Sequence, residues 1–134
     1  MLKFLIALII CSLIGSCYFT NRNCRNIALE HKLNEVIKKE DSFTRIKFDT
    51  INSIEWQELL IIKPYSTISE IENKRKVTLK CVGESIQHHD NILTFCFLKE
   101  KECIFYIELL RNFELEDKET VLYKKENANV KIHR

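Results

Sequence analysis

Glycine and proline are nearly absent from this 134-residue chain, which contains two glycines and one proline. Beyond residue 16, these are Gly83 and Pro64 alone. Loops that cradle phosphate groups need several glycines, because the backbone must approach the anion closely. The sequence therefore excludes a nucleotide-binding loop of this kind.

An excess of one charge is also lacking. The chain has 21 Lys and Arg against 19 Asp and Glu, a net charge of +2, and the two signs are mixed along its length. This mixing is typical of a solvated surface, whereas nucleic-acid-binding proteins usually carry a clustered basic surface. We therefore expect no nucleic-acid partner. The composition, with 46% apolar and 30% charged residues, is that of a folded domain.

The chain begins with an apolar leader. Lys3 precedes a run of apolar and small residues that extends from position 4 to position 16, and Cys17 follows. A basic start, an apolar middle and a small-residue end are typical of a secretory signal peptide. Even when it is extended to Phe19, the apolar stretch has ~16 residues, which is fewer than the ~20 residues that a transmembrane helix needs. We therefore predict a signal peptide over residues 1–16, with an uncleaved membrane anchor as an alternative.

The end of this leader, Ile14-Gly15-Ser16-Cys17, resembles a lipobox. That motif belongs to bacterial lipoprotein precursors, in which the cysteine sulfur receives a diacylglycerol and cleavage makes the cysteine the new N-terminus. The resemblance implies cleavage between Ser16 and Cys17, lipidation of Cys17 with acyl chains such as palmitate, and attachment to a membrane of the cell envelope. It does not distinguish the inner from the outer membrane. A plain secreted protein with an incidental cysteine is the alternative.

Four cysteines follow Cys17: Cys24, Cys81, Cys96 and Cys103. An even number in an exported chain is compatible with two disulfides, and four cysteines allow three pairings. A two-residue loop at Lys99-Glu100 would place Cys96 and Cys103 opposite each other, where they could form a disulfide; a longer loop would separate them. A cysteine in an apolar strand is also a common small core residue. Because no Cys-x-x-Cys spacing is present, we expect no metal site and no cofactor.

The periodicity of apolar residues predicts an α+β domain over residues 26–134, preceded by a lipidated cysteine and tether over residues 17–25. Apolar residues three and four positions apart predict an amphipathic helix from Asn26, and Ser66 or Thr67 is expected to cap a second, short helix. Alternating or continuous apolar stretches predict strands at 45–50, 54–62, 76–82, 92–98, 103–110, 121–123 and 130–132. We expect an antiparallel sheet of about five strands, packed by the two helices.

The segment Trp56-x-x-Leu59-x-Ile61-x-Lys63-Pro64-Tyr65-Ser66-Thr67-x-x-Glu70-Ile71 resembles a segment of small bacterial lipoproteins and exported proteins of unknown function. Those proteins carry Trp-Asp, an aliphatic strand, Pro-Tyr-Thr or Pro-Tyr-Ser, and a helix with an acidic residue. Here Gln57 replaces the aspartate, and Lys63 stands where glycine is common. The resemblance implies a fold and a location but no catalytic residue.

His88-His89-Asp90 is the one cluster whose residues suit metal binding or acid–base chemistry. Neighbouring side chains on an extended segment point in opposite directions, so we interpret the cluster as a polar turn. We therefore expect a lipid-anchored binding module of the cell envelope with a protein partner, and no enzymatic activity. The alternatives are an inhibitor or immunity-type protein, or a small envelope enzyme that uses His88 or His89.

Overall fold

The computed structural model describes residues 24–39, 43–51, 54–83, 88–110, 114–115 and 121–133. The leader, the cleavage position at Ser16 and the lipidation site at Cys17 lie outside these residues. Within the described ranges, neither helix has the length and the apolar composition needed to cross a bilayer.

Two helices form where they were predicted. Helix α1 spans Ile27–Lys39, and the Asn26 side chain begins it by accepting a 3.1 Å hydrogen bond from the N–H of Leu29. Helix α2 spans Ile68–Arg75 with Thr67 at the N-cap position, although the Thr67 side chain makes no capping hydrogen bond. The Ser66 hydroxyl instead donates to the Lys63 carbonyl at 2.7 Å and closes the preceding turn.

The strands divide into two antiparallel sheets, not the single sheet that was expected. They are β1 (Phe43–Lys47), β2 (Glu58–Ile62), β3 (Ile92–Lys99), β4 (Glu102–Leu110), β5 (Glu114–Leu115), β6 (Val121–Lys124) and β7 (Asn129–His133). The four-stranded sheet has the order β4-β3-β2-β6, and the three-stranded sheet has the order β1-β7-β5. The α+β class is confirmed. Strand β2 lies inside the four-stranded sheet, and β3 and β4 form an antiparallel hairpin.

The four-stranded sheet has a buried core on each face. One face packs against helix α1 and the three-stranded sheet, and we call its buried ring cluster the aromatic core: Phe48, Trp56, Phe95, Phe97 and Phe105. The opposite face packs against helix α2 and the segment 77–82. We call that second layer the sulfur core, because buried cysteines lie in it among mostly aliphatic residues. Its buried residues are Leu60, Ile62, Ile71, Val77, Leu79, Val82, Cys96, Leu98, Cys103 and Tyr106.

The strand predicted over 76–82 does not form. Its one ladder contact is an isolated parallel bridge between Thr78 and Glu102. The N–H of Leu79 donates to the Glu72 carboxylate at 2.9 Å, so a side chain takes the place of a neighbouring strand. Val77 and Leu79 are nonetheless buried. The alternating pattern therefore indicated that Val77 and Leu79 are buried but not the secondary structure that buries them.

Candidate functional site

All four cysteines beyond Cys17 lie on the sulfur-core side of the four-stranded sheet, and we call Cys24, Cys81, Cys96 and Cys103 the cysteine cluster. Cys24 and Cys81 form a disulfide with a Cα–Cα distance of 5.3 Å. The free thiol of Cys103 lies beside it, with 4.0 Å between its Sγ and the Sγ of Cys24. The sulfurs of Cys24, Cys81 and Cys103 are all within 4.8 Å of one another.

Strand β4 positions the cluster because two short segments attach to it. The N–H of Tyr106 donates to the Cys24 carbonyl at 3.1 Å, and the N–H of Asn26 donates back to the Tyr106 carbonyl at 2.8 Å. Three residues earlier on β4, the N–H of Cys103 donates to the Thr78 carbonyl at 2.9 Å. Since β4 is an outer strand of its sheet, these segments cover part of its edge, and the disulfide joins them.

Tyr106 also supports the end of the segment that carries Cys81. Its buried ring lies in the sulfur core, and its hydroxyl oxygen accepts a 3.3 Å hydrogen bond from the N–H of Gly83. Within the same group, the Sγ of Cys81 lies 3.3 Å from the Cys103 carbonyl oxygen. The three sulfurs of Cys24, Cys81 and Cys103 are thus held by backbone that is hydrogen-bonded to the sheet.

The prediction of a Cys96–Cys103 disulfide is wrong, and both residues are free, buried thiols. The hairpin turn is Glu100-Lys101, one residue later than expected, with φ of 50° and 65°. These positive angles are those of a type I′ turn, and they place Leu98 opposite Cys103. A register shift at Phe97/Leu98 then places Cys96 opposite Tyr106, so the two cysteines occupy different rungs of the ladder.

The Cys96 thiol is the most deeply buried of the cluster, with no exposed surface. Burial raises the pKa of Cys96 well above its ordinary value, and the interaction with the Cys103 sulfur raises it further. Cys96 is therefore a neutral thiol at physiological pH. The Cys103 thiol is also buried and donates to the Phe105 carbonyl at 3.4 Å. The four sulfurs thus run from the half-buried disulfide inward to a protonated thiol.

An ion-pair network holds the segment that carries Cys24. Arg25 donates to both carboxylate oxygens of Glu30, at 2.6 and 2.8 Å, and lies 3.4 Å from the Glu108 carboxylate. Glu30 also accepts a 3.0 Å hydrogen bond from the N–H of Glu108. Burial alone would raise the pKa of Glu30, but the hydrogen bonds from Arg25 and from Glu108 outweigh it and lower that pKa. The charged network therefore supplements the disulfide at the edge of β4.

The cysteine sulfurs are also the best candidates for metal ligands. Within the described ranges, Cys24, Cys81 and Cys103 form the one group of three or more His, Cys, Asp or Glu side chains close enough to share an ion. His88, His89 and Asp90 are exposed on a turn before β3. An enzyme based on these residues would need their side chains to converge in a pocket, whereas the structure places all three of them at the surface.

Sequence reasoning missed the role of Cys24, which it assigned to the tether. The disulfide and the hydrogen bonds to β4 make Cys24 and Arg25 part of the folded domain, so the domain begins at least two residues before the predicted boundary at Asn26. The even number of cysteines indicated that partners exist. It could not indicate which residues pair, because the pairing depends on how two distant segments meet on β4.

The Trp56–Ile71 segment has a buried beginning and an exposed turn. Trp56 is buried and its indole N–H donates to the Ile51 carbonyl at 2.7 Å. Tyr65 is 65% exposed and has a φ of 60°. No protein family, curated protein or solved structure matches this chain. The resemblance of this segment to small bacterial lipoproteins therefore stays a prediction.

Proposed function

We propose that this chain is a lipid-anchored protein of the bacterial cell envelope that acts by binding another protein and not by catalysis. The observation that carries the proposal is the Cys24–Cys81 disulfide, which follows closely after the lipobox resemblance at Cys17. Disulfides persist in oxidising compartments outside the cytosol, and export through a lipoprotein signal would bring the domain there. The two features support the same location independently.

The spacing between the lipid and the disulfide would hold the domain close to the membrane. Seven residues lead from Cys17 to Cys24, and a chain of this length reaches at most ~25 Å. Because Cys24 is joined to the edge of β4, that edge is expected to lie nearest the bilayer. A partner would then be a protein of the same membrane or of the adjoining envelope space.

Tyr65 is the residue that we expect to contact the partner. A non-glycine residue with a positive φ is uncommon and persists where the surrounding structure supports it, often at a binding or catalytic site. Here Pro64 precedes Tyr65, and the bond from Ser66 to Lys63 closes the turn. An exposed tyrosine on a rigid turn offers a large contact area, and tyrosine is enriched at protein interfaces.

Radioactive or clickable palmitate labelling of the full chain tests the anchor. We expect the label to be incorporated into the wild type and lost in Cys17→Ala. Cys11→Ala is the matched control, because it removes a leader cysteine outside the lipobox and should leave labelling unchanged. Equal labelling of Cys17→Ala and wild type would contradict lipidation of Cys17.

Co-purification from membranes, with the protein anchored in place, tests the binding. A specific partner should be retained by the wild type and by Glu126→Ala, an exposed site on a different turn, and depleted in Tyr65→Ala. If the partner is an enzyme or toxin whose activity falls on binding, the protein is an inhibitor or immunity-type protein. Equal recovery with Tyr65→Ala would remove the turn from the interface, and failure to recover a specific partner in any form would contradict the binding function.

A further inference from the structure

We propose that Cys24, Cys81 and Cys103 form a redox-gated site for a thiophilic metal cation of the Zn²⁺ class, which binds when the Cys24–Cys81 disulfide is reduced. Three thiolates would be the protein ligands of this site. The inference goes beyond the proposed function and does not depend on the lipid anchor, because it concerns only side chains of the folded domain.

The distances between the sulfurs suit such a site. Zinc–thiolate bonds are ~2.3 Å long, so sulfurs on one zinc ion are ~3.8 Å apart in a tetrahedron and ~4.0 Å apart in a flat triangle. The sulfurs of Cys24 and Cys103 are already 4.0 Å apart, and the third sulfur is within 4.8 Å of both. Once reduced, Cys24 and Cys81 need to separate their sulfurs by only ~2 Å from the disulfide bond length. A Cα–Cα distance of 5.3 Å permits this by side-chain rotation.

The backbone that carries the three ligands is held independently of the disulfide. Cys24 and Cys103 are fixed by hydrogen bonds to and within β4, and Arg25 adds an ion pair beside Cys24. The segment that carries Cys81 is held by two hydrogen bonds: the N–H of Cys103 on β4 donates to the Thr78 carbonyl, and the N–H of Gly83 donates to the Tyr106 hydroxyl oxygen. Reduction therefore leaves the ligand-bearing segments in place, which lowers the cost of assembling the site on metal binding.

Cys96 would support the site without being a ligand. It is fully buried behind Cys103, and it is not among the three side chains whose sulfurs all lie within 4.8 Å of one another. An S–H group beside the Cys103 sulfur would donate a hydrogen bond to that ligand. Cys24 and Cys81 are only half-buried, so the fourth coordination position would open toward solvent and hold a water molecule.

A dithiol reductant of the kind that reduces disulfides in exported proteins would open the Cys24–Cys81 bond. The reductant transfers two electrons and two protons to Cys24–Cys81; the disulfide becomes two thiols, and the dithiol becomes a disulfide. Binding of one Zn²⁺ then releases three protons, one from each of Cys24, Cys81 and Cys103. A disulfide oxidant reverses the step: it accepts two electrons from the Cys24 and Cys81 thiolates and two protons from water and becomes a dithiol, while the Cys24–Cys81 bond re-forms. Two of the three ligands are then lost, and the cation is released. The redox state of one disulfide would thus control metal binding.

Titration with Cd²⁺ and Zn²⁺ tests the proposal on the full chain carrying Cys11→Ala and Cys17→Ala, so that only the four cluster cysteines remain. A phosphine reductant opens the disulfide without adding a competing thiol. We expect one cation per chain in the reduced protein, an ultraviolet sulfur-to-cadmium band that corresponds to three thiolates, and no binding by the oxidised protein. No binding by the reduced protein would overturn the proposal.

Single substitutions in the same background test the ligand assignment. Cys103→Ala should weaken binding more than ~100-fold, beyond the effect of losing a group that merely supports a ligand. Cys96→Ala should keep the three-thiolate band, and the exposed His89→Ala should leave affinity unchanged. Equal affinity in Cys103→Ala, or loss of one thiolate from the band in Cys96→Ala, would contradict the assignment.

Circular dichroism separates loss of the site from loss of the fold. If the reduced protein unfolds without metal, addition of Zn²⁺ should restore the native spectrum, because metal binding to the assembled thiolates then drives folding. An unfolded reduced protein that neither binds nor refolds with Zn²⁺ would overturn the proposal as well.

Discussion

The cores on the two faces of the four-stranded sheet are stabilised by different interactions. On the aromatic core, Phe97 stacks on Phe105 with 4.3 Å between ring centroids, and Trp56 meets Phe97 edge-on at 5.0 Å. On the opposite face, a disulfide and two free thiols lie among aliphatic side chains. Aromatic packing responds to volume and shape, whereas a disulfide also responds to the redox potential of its surroundings. The packing of the aromatic core is therefore independent of redox conditions, whereas the cross-link in the sulfur core depends on them.

The largest effect is expected from Phe97→Ala, which removes a fully buried ring in contact with three other rings. We expect a loss of about 4 kcal/mol in the free energy of unfolding, because the substitution leaves a cavity at the centre of the aromatic core. Urea unfolding of the oxidised protein measures it. Leu110→Ala, at a 51% exposed position, is the control and should cost less than about 0.5 kcal/mol. Similar losses in the two variants would contradict the conclusion that packing around Phe97 stabilises the aromatic core.

Removal of the disulfide should follow in size. Cys24→Ala with Cys81→Ala is expected to cost about 2–4 kcal/mol, because the cross-link spans 57 residues and restricts the unfolded chain. Fluorescence of Trp56, the one tryptophan in the chain, reports on the aromatic core during the same experiment. If the two faces are independent, the folded double variant keeps the native emission spectrum. A shifted spectrum would show that the cross-link also maintains the aromatic face.

The ion pair beside Cys24 should have a smaller, pH-dependent effect. The pKa of Glu30 is lowered in the folded state, so its ionised carboxylate stabilises the protein above the ordinary glutamate pKa of about 4.3, and that stability is lost as the pH falls through the lowered pKa. We expect Glu30→Gln to cost about 1 kcal/mol at neutral pH, since Arg25 is partly exposed, and the difference from wild type to vanish at low pH.

Chemical unfolding at a series of pH values measures this difference. Glu35→Gln removes an exposed carboxylate of the same helix, paired with Lys38, and should change little. A Glu30→Gln effect that is independent of pH would mean that packing, and not charge, holds the segment of Cys24 on β4.

The smallest expected effect is a gain in stability from a substitution on the sulfur-core face of the sheet. Thr94 is fully buried opposite Glu108 on the β3–β4 ladder, and among the described residues its hydroxyl has no hydrogen-bond partner. Thr94→Val removes that polar atom while keeping a β-branched shape, so we expect a gain of about 0.5–1 kcal/mol. A higher midpoint of thermal unfolding would confirm it, and a loss of stability would indicate that the hydroxyl is hydrogen-bonded.

Much of the secondary structure could be predicted because local patterns determine it. The apolar spacing from Ile27 predicted α1, and the apolar stretches predicted strands β2, β3 and β4. The hairpin register could not be predicted. Glu100 and Lys101 both adopt positive φ, a conformation that neither residue type signals, and the shift of one residue changed the neighbour of Cys103.

The arrangement of the cysteine cluster could not be predicted from the sequence for a different reason. Cys24 and Cys81 meet because the segments that carry them attach to nearby positions on the same edge of β4, one at Tyr106 and the other at Glu102 and Cys103, and no local pattern encodes that attachment. The missing Cys-x-x-Cys spacing argued against a metal site only for ligands close in sequence. Three sulfurs from three distant segments can satisfy the same geometry when a sheet edge brings them together.

The position of the Cys24–Cys81 bond also matters for mechanical load. In a chain anchored at Cys17, any pull on the body reaches it first at Cys24, where a covalent link shares the tension between two segments before it reaches the sheet. Opening that link would leave the hydrogen bonds of one segment on β4 to bear the pull. Reduction would thus lower the force needed to pull the Cys24 segment away from β4, in addition to changing what the domain can bind.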